Sequence, residues 1–310
     1  MKFEVLILGS SSATPMYGRH PTAQLINFNE QFHLVDCGEG TQMQLSRYGI
    51  KINRIRTVFI SHLHGDHYFG LPGLISSMHL MGRNEPLQLF GPPGLEEILK
   101  LQFQFSQTVL RFPLEIRVIS PDGGEQWDLE QWTVQTFALD HRIPCTGFRF
   151  QEKIRKPSID ISKATLLGVP VPYYPLLKKG IDYVDTHGVT TPWQALTLPP
   201  PIPRSYAYCS DTKASGGYLH AIQNVDLLYH EATFTEEFAG RAAETFHSTA
   251  KQAAAVAVTC GAKQLIIGHF SARYKELFPL KEEAQSIFPS TQLANEGQWY
   301  AIPLQQTSHF

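Results

Sequence analysis

The chain has 310 residues, 43% of them hydrophobic and 17% charged, with a formal net charge of −2. At this length folding buries roughly three quarters of the extended surface, so a large core forms without covalent staples. The balance excludes a mainly disordered chain and a protein that coats nucleic acid by bulk charge. Four scattered cysteines, Cys37, Cys145, Cys209 and Cys260, show no CxxC spacing. They read as small buried hydrophobes of an intracellular, cytoplasmic protein. No apolar run approaches the eighteen or so residues of a membrane span.

In chain order, FEVLILG, TAQLINF and QFHLVDCG read as consecutive strands, TQMQLSRYG as a helix stopped by its glycine, and IRTVFIS as a strand. LQLFGPPG precedes the helix candidate GLEEILKLQFQF, and IRVISPDGGEQWDL with QWTVQTFALDH reads as strand, turn and strand. Mixed sheet with covering helices is the expected class, α/β (α+β). Residues 151–204 are rich in proline and carry Lys153, Arg155, Lys156, Lys178 and Lys179. That composition suits an insertion standing away from the main core, because proline limits helix interiors and central strands. SYAYCSD and VDLLYHEATF then read as strands ending in polar clusters. STAKQAAAVAVTCGA follows as a helix capped by Ser248 or Thr249 and stopped by Gly261, before the strand KQLIIGHF.

The strand-like TVFIS runs into SHLHGDH, placing His62, His64, Asp66 and His67 within six positions. Imidazole and carboxylate suit zinc or a similar divalent metal, and alternate residues of a short loop converge from one backbone segment. Gly65 is expected to allow an awkward backbone there. Other strand ends offer His141, Asp211 and His269. If these ends share one edge, His62, His64 and His141 hold one ion, Asp66, His67 and His269 hold another, and Asp211 bridges. Two metals about 3.5–4 Å apart would activate water and stabilise an attacked phosphate.

LGSSSATP, LVDCGEGTQMQL, ISHLHGDHYFGLPGL, ALDHRIPCTGF, YCSDT, LYHEATF, FHSTA and IIGHFSARY occur in that order. The chain closely resembles the metallo-β-lactamase fold and, within it, the short form of the ribonuclease Z family, over essentially its full length. HxHxDH alone marks only the broad hydrolase superfamily; HEAT, HST and SARY are much more specific. The resemblance implies a single αββα four-layer sandwich over residues 1–310 and an exosite arm over about residues 151–200. It also implies a homodimer, two Zn2+ ions on the seven residues above, and removal of the 3′ trailer from precursor tRNA. It makes Asp66 the general base and His247 a catalytic group near the scissile phosphate, where a near-neutral pKa suits proton donation to the leaving oxygen.

Glu231 reads as a group orienting His247 or a metal ligand, and His230 as structural. Arg273 and Tyr274 of SARY are expected at RNA phosphate and base, Ser271 as a weaker phosphate donor, and Lys178 and Lys179 on the tRNA backbone. GSSSATPMYGRH offers a phosphate-facing turn, although His20 stands where relatives often carry asparagine. The arm runs VPVPYYPL without the glycine-proline pair of many relatives. Competing readings are a small phosphodiester or thioester hydrolase on the same fold, and a tRNA-binding protein without turnover.

Overall fold

The computed structural model describes residues 2–305. In β1 (Phe3–Gly9), Phe3, Val5 and Ile7 enter one core while Leu6 and Leu8 enter another, because successive strand side chains point to opposite faces. β2 (Ala23–Phe28) pairs antiparallel with β1 and with β3 (Gln31–Val35). The chain then turns parallel. Three crossovers carry it: α1 (Thr41–Arg47) to β4 (Ile55–Phe59); α2 (Gly65–Tyr68) and α3 (Leu71–Leu80) to β5 (Leu87–Gly91); and α4 (Leu95–Phe105) to β6 (Leu114–Val118). Parallel neighbours need such crossovers.

The next turn moves the chain between sheets. β6 lies in the first sheet, but β7 (Gly123–Asp128) belongs to the second, pairing antiparallel with β8 (Trp132–Leu139). Gly123, at φ 67°, makes this possible, since a Cβ there would lie 2.6 Å from the Phe137 backbone. β9 (Cys145–Glu152) follows.

Residues 151–204, with residues 303–305, form a separate compact unit among the described residues. It holds β10 (Ser158–Ile159), α5 (Ile161–Leu166), α6 (Tyr174–Leu177), β11 (Tyr183–Val184), β12 (Thr190–Thr191) and β13 (Thr197–Leu198). Ala164, Val169, Leu177 and Leu196 form its small core, and Tyr173, Tyr174, Tyr183 and Trp193 pack around them. The buried Glu152 carboxylate accepts from Arg204 Nε at 2.9 Å and Nη2 at 2.8 Å, clasping the two ends of the segment.

The main unit resumes with β14 (Ser205–Cys209), β15 (Leu227–Glu231), α7 (Ala239–Thr245), α8 (Ala250–Cys260), β16 (Leu265–Gly268), α9 (Phe278–Gln285), β17 (Thr291–Leu293) and β18 (Trp299–Ala301). Among the described residues two seven-stranded sheets form, in the orders β18-β1-β2-β3-β4-β5-β6 and β17-β16-β15-β14-β9-β8-β7. Phe59 lies 5.4 Å from Phe148 and 5.5 Å from Phe150 across the sheet interface. Leu45, Leu74, Ile75 and Leu99 from α1, α3 and α4 cover the outer face of the first sheet. α8 packs on β15, β16 and α9. Thr249 caps α8 in a reciprocal box with Gln252, and Gly261, at φ 67°, ends it.

The parallel register positions the chemistry. Cys209 stands level with His230, and His230 with Ile267, so β14, β15 and β16 finish together and the residues after them emerge side by side. Ligands collect outside such carboxyl ends of strands. Among the described residues no helix is long and apolar enough to cross a membrane.

Candidate metal centre

The seven expected ligands meet at this edge in two groups that share Asp211: His62, His64, His141 and Asp211, and Asp66, His67, His269 and Asp211. Their donor atoms lie within 4.8 Å of one another in each group. His64 Nδ1 is 3.1 Å from both His62 Nε2 and His141 Nε2. Asp211 turns Oδ2 to the first group, 3.7 Å from His62 Nε2, and Oδ1 to the second, 3.1 Å from His269 Nε2. One carboxylate thus faces both sites.

Four of the five imidazoles are tied from behind. His67 Nδ1 meets Asp36 Oδ2 at 2.7 Å, His269 Nδ1 meets Thr233 Oγ1 at 2.9 Å, His141 Nδ1 meets the Phe246 carbonyl at 3.1 Å, and His62 Nδ1 meets Ser61 Oγ at 3.0 Å. Such partners fix tautomer and ring orientation. Asp36 also accepts from Ser61 N, Ser61 Oγ and Tyr208 Oη at 2.6–2.8 Å. Asp36, Phe246 and His269 hold left-handed backbones at φ 56°, 62° and 59°. Strain of about 1–3 kcal/mol per such residue persists because these contacts over-determine the geometry.

The residues fit a cation. His67 Nε2 and Asp211 Oδ1 are buried without a hydrogen-bond partner among the described residues, although an orphaned buried polar atom is costly. Burial opposes a charge on His67, yet Asp211, Asp66 and Asp36 together raise its pKa well above the usual range. Positive charge is therefore favoured among these carboxylates. Burial also works against the Asp211 carboxylate, and His269 and His67 overcome it, holding its pKa well below the usual range. Imidazole and carboxylate donors at these spacings form a metal-binding site.

The other expected site residues divide. His247 Nδ1 is 2.8 Å from Glu231 Oε1, and its ring stacks 5.3 Å from His269. Burial lowers the His247 pKa, but Glu231 outweighs it and lifts the group to about 9. Glu231, fully buried at the end of β15, also accepts from Thr212 N, Thr233 N and Thr233 Oγ1. His230 is buried too, held by Tyr218 Oη and its neighbour's carbonyl at 2.7 Å each.

Tyr274 is partly buried. Its hydroxyl is 3.0 Å from both Thr235 N and Thr235 Oγ1, and its ring packs against the core. Ser271 Oγ accepts from Arg273 N and Nε. Arg273 itself is exposed, with its guanidinium 4.4 Å from the Phe238 ring centre. Lys178 and Lys179 are exposed just after α6.

Two local expectations change. SHLHGDH is a loop only as far as His64; Gly65 to Tyr68 form α2, so Asp66 and His67 project from a helical turn. Gly65 lies outside the left-handed region, and what it provides is space: a Cβ would sit 2.2 Å from the Phe69 ring. The GSSSATP turn serves the ligands, because Ala13 N donates to Asp66 Oδ2 at 2.8 Å. His20 pairs with Glu296 at 2.8 Å. Sequence reading missed the supports Asp36, Ser61, Thr233 and Tyr208. All four lay inside quoted motifs, Asp36 in LVDCGEGTQMQL, Ser61 in ISHLHGDHYFGLPGL, Tyr208 in YCSDT and Thr233 in LYHEATF, without being singled out.

The chain is 48% identical over 308 residues to the ribonuclease Z of Cytophaga hutchinsonii, covering 97% of each protein. The chain belongs to the ribonuclease Z family. The Porphyromonas gingivalis ribonuclease Z is 44% identical over 297 residues, covering 95% of this chain and 97% of that one. The crystal structure of human tRNase Z, short form, superposes with a TM-score of 0.69 at 27% identity, covering 97% of this chain and 99% of that one. YhfI from Bacillus subtilis, a metallo-β-lactamase fold protein, gives 0.69 at 18% identity over 96% of this chain and 98% of its own, a likeness of fold. Residues 3–162 also match the family model described as anti-Pycsar protein Apyc1. The ribonuclease Z relatives match nearly the full length of this chain, both sheets included.

Proposed function

We propose that this ribonuclease Z removes the 3′ trailer from precursor tRNA, leaving a 3′-hydroxyl on the tRNA and a 5′-phosphate on the trailer. The carrying observation is the pair of four-residue groups sharing Asp211, with His247, held from behind by the buried Glu231, lining the cavity they open into. Both groups, filled by zinc, would use His62, His64 and His141 on one side, Asp66, His67 and His269 on the other, and Asp211 between. Bound there, the metals supply an acidified water and positive charge against the phosphate.

The chain's own groups do the rest. Asp66, fixed by Ala13 N and beside His67 and His269, accepts the proton of the attacking water. His247 is held through Nδ1 by Glu231, which leaves Nε2 to donate a proton to the departing 3′-oxygen. In the metal-free protein, against the effect of burial, Glu231 lifts the His247 pKa to about 9. Arg273, Lys178 and Lys179 meet RNA phosphates. Four free, buried cysteines suit a cytoplasmic enzyme. A homodimer fits the exposed Met43, Leu80 and Met81 around α1 and α3, and a monomer by light scattering would contradict it. Incubating zinc-loaded protein with precursor tRNA and mapping both product ends tests the function. Folded, metal-loaded protein that leaves the trailer in place refutes it.

A further inference from the structure

The cavity above the ligand edge measures about 550 Å³, and Phe69, Arg142 and Arg241 are among the lining residues, with Glu39, that have no part in holding metal or moving protons. Arg142 directly follows His141 and donates from Nη2 to the Glu244 carbonyl at 3.2 Å. Arg241, on α7, stands 3.3 Å from Glu244 Oε2 with its side chain 56% exposed. Exposed pairs of this kind are worth little, so the Glu244 contacts aim the two guanidiniums without neutralising them firmly. Both belong to the wall that carries His247, since α7 leads into His247 through Thr245, itself a lining residue.

The part of the rim that carries Asp66 has different chemistry. Phe69 is 62% exposed, and its ring lies over Gly65 at the mouth of a charged cavity. Leaving a phenyl ring in water forgoes about 1.5–3 kcal/mol of burial. A flat apolar face beside guanidiniums matches a nucleotide strand, in which bases stack on aromatic rings and phosphates meet arginine.

We propose that Arg142 and Arg241 clamp the phosphates on the 5′ side of the nucleotide whose 3′-oxygen leaves, and that Phe69 stacks the first base of the trailer. The polarity rests on the reading of His247 as proton donor to the 3′-oxygen. That ribose then lies against the His247 wall, and the strand continues across the ligand edge towards Asp66 and Phe69. A small ester would reach neither feature.

Binding of a fluorescently labelled, single-stranded hexaribonucleotide, followed by anisotropy across a salt series, tests the clamp. The double variant Arg142→Ala/Arg241→Ala should weaken binding about tenfold and flatten the log Kd against log salt slope by about 1.4, at about 0.7 per phosphate contact on a single strand. Arg142→Lys/Arg241→Lys should keep the slope while losing part of the affinity, because charge remains and the planar fork does not. Phe69→Ala should lose about fivefold or more on the hexaribonucleotide and nothing on an abasic hexamer of the same length. An unchanged slope in the alanine pair overturns the clamp, and equal losses on intact and abasic strands overturn the stacking. The probe has no tRNA fold, so failure of the wild type to cut precursor tRNA would refute the proposed function and leave this inference to be judged on the binding data.

Discussion

At the ligand edge, Asp36, Ser61, Thr233 and the Phe246 carbonyl hold the ring nitrogens that face away from the metal positions, and three neighbouring residues keep strained backbones. Residues 151–204 are built on other terms: Ala164, Val169, Leu177 and Leu196 hold the unit together, and Lys178 and Lys179 face solvent on long side chains. The difference suits the work proposed for each region. Converging lone pairs on two ions requires donor positions good to a fraction of an ångström, and that demands a rigid polar scaffold. Meeting a phosphate backbone by charge tolerates mobile side chains. Catalysis should therefore fail abruptly when the first region is altered, and recognition should weaken by degrees when the second is.

The largest effect should come from Asp211→Ala, which removes a donor from both groups. Cleavage should fall about 10⁴-fold or more, with metal lost by elemental analysis; full metal content would break the claim that the carboxylate is shared. His247→Ala should lower kcat by about 10²–10⁴-fold with metal content intact, which separates the proton donor from the ligands around it. Leu177→Ala, by truncating the small core, should cost about 2–5 kcal/mol. Hydrogen exchange should show this as faster opening within α5 and α6 while metal binding persists, and loss of metal in that variant would collapse the contrast between the regions. Lys178→Ala/Lys179→Ala should raise KM for precursor tRNA severalfold and reduce the salt slope by about 1 per lysine, with kcat nearly constant.

The smallest effect concerns pH. In metal-free protein the His247 pKa, about 9, lies above its ordinary value of 6.5. The His247–Glu231 pair thus contributes stability that is complete below pH 6.5 and is lost as pH rises through about 9. An imidazole NMR titration of His247 should show that midpoint, and in Glu231→Gln it should move down towards 6.5. A midpoint unmoved by the substitution would remove Glu231 from its orienting role.

What could be read from sequence divides along chemical lines. The ligands were legible because metals require particular side chains at strand ends, and SHLHGDH concentrates four of them; α8 was legible because Thr249, Gln252 and Gly261 are local signals. Asp36, Thr233 and Tyr208 were not, since an aspartate, a threonine and a tyrosine acquire their roles only when distant segments meet behind the ligands. Arg142 and Phe69 lie inside quoted motifs and Arg241 in none, and the three come together only around the cavity. SARY shows an aromatic residue near the site but not that Thr235 waits for the Tyr274 hydroxyl. Gly65 was misread for a related reason: sequence shows that a glycine is present but not which ring occupies the place of its side chain.

The central claim is that one carboxylate, Asp211, joins two metal positions at the carboxyl ends of these strands. X-ray absorption on the zinc-loaded protein, combined with elemental analysis, tests it most directly. The account expects two ions per chain, nitrogen and oxygen donors alone, and a metal–metal vector of about 3.5–4 Å that disappears in Asp211→Ala. One ion per chain, or two with no short vector between them, would contradict it.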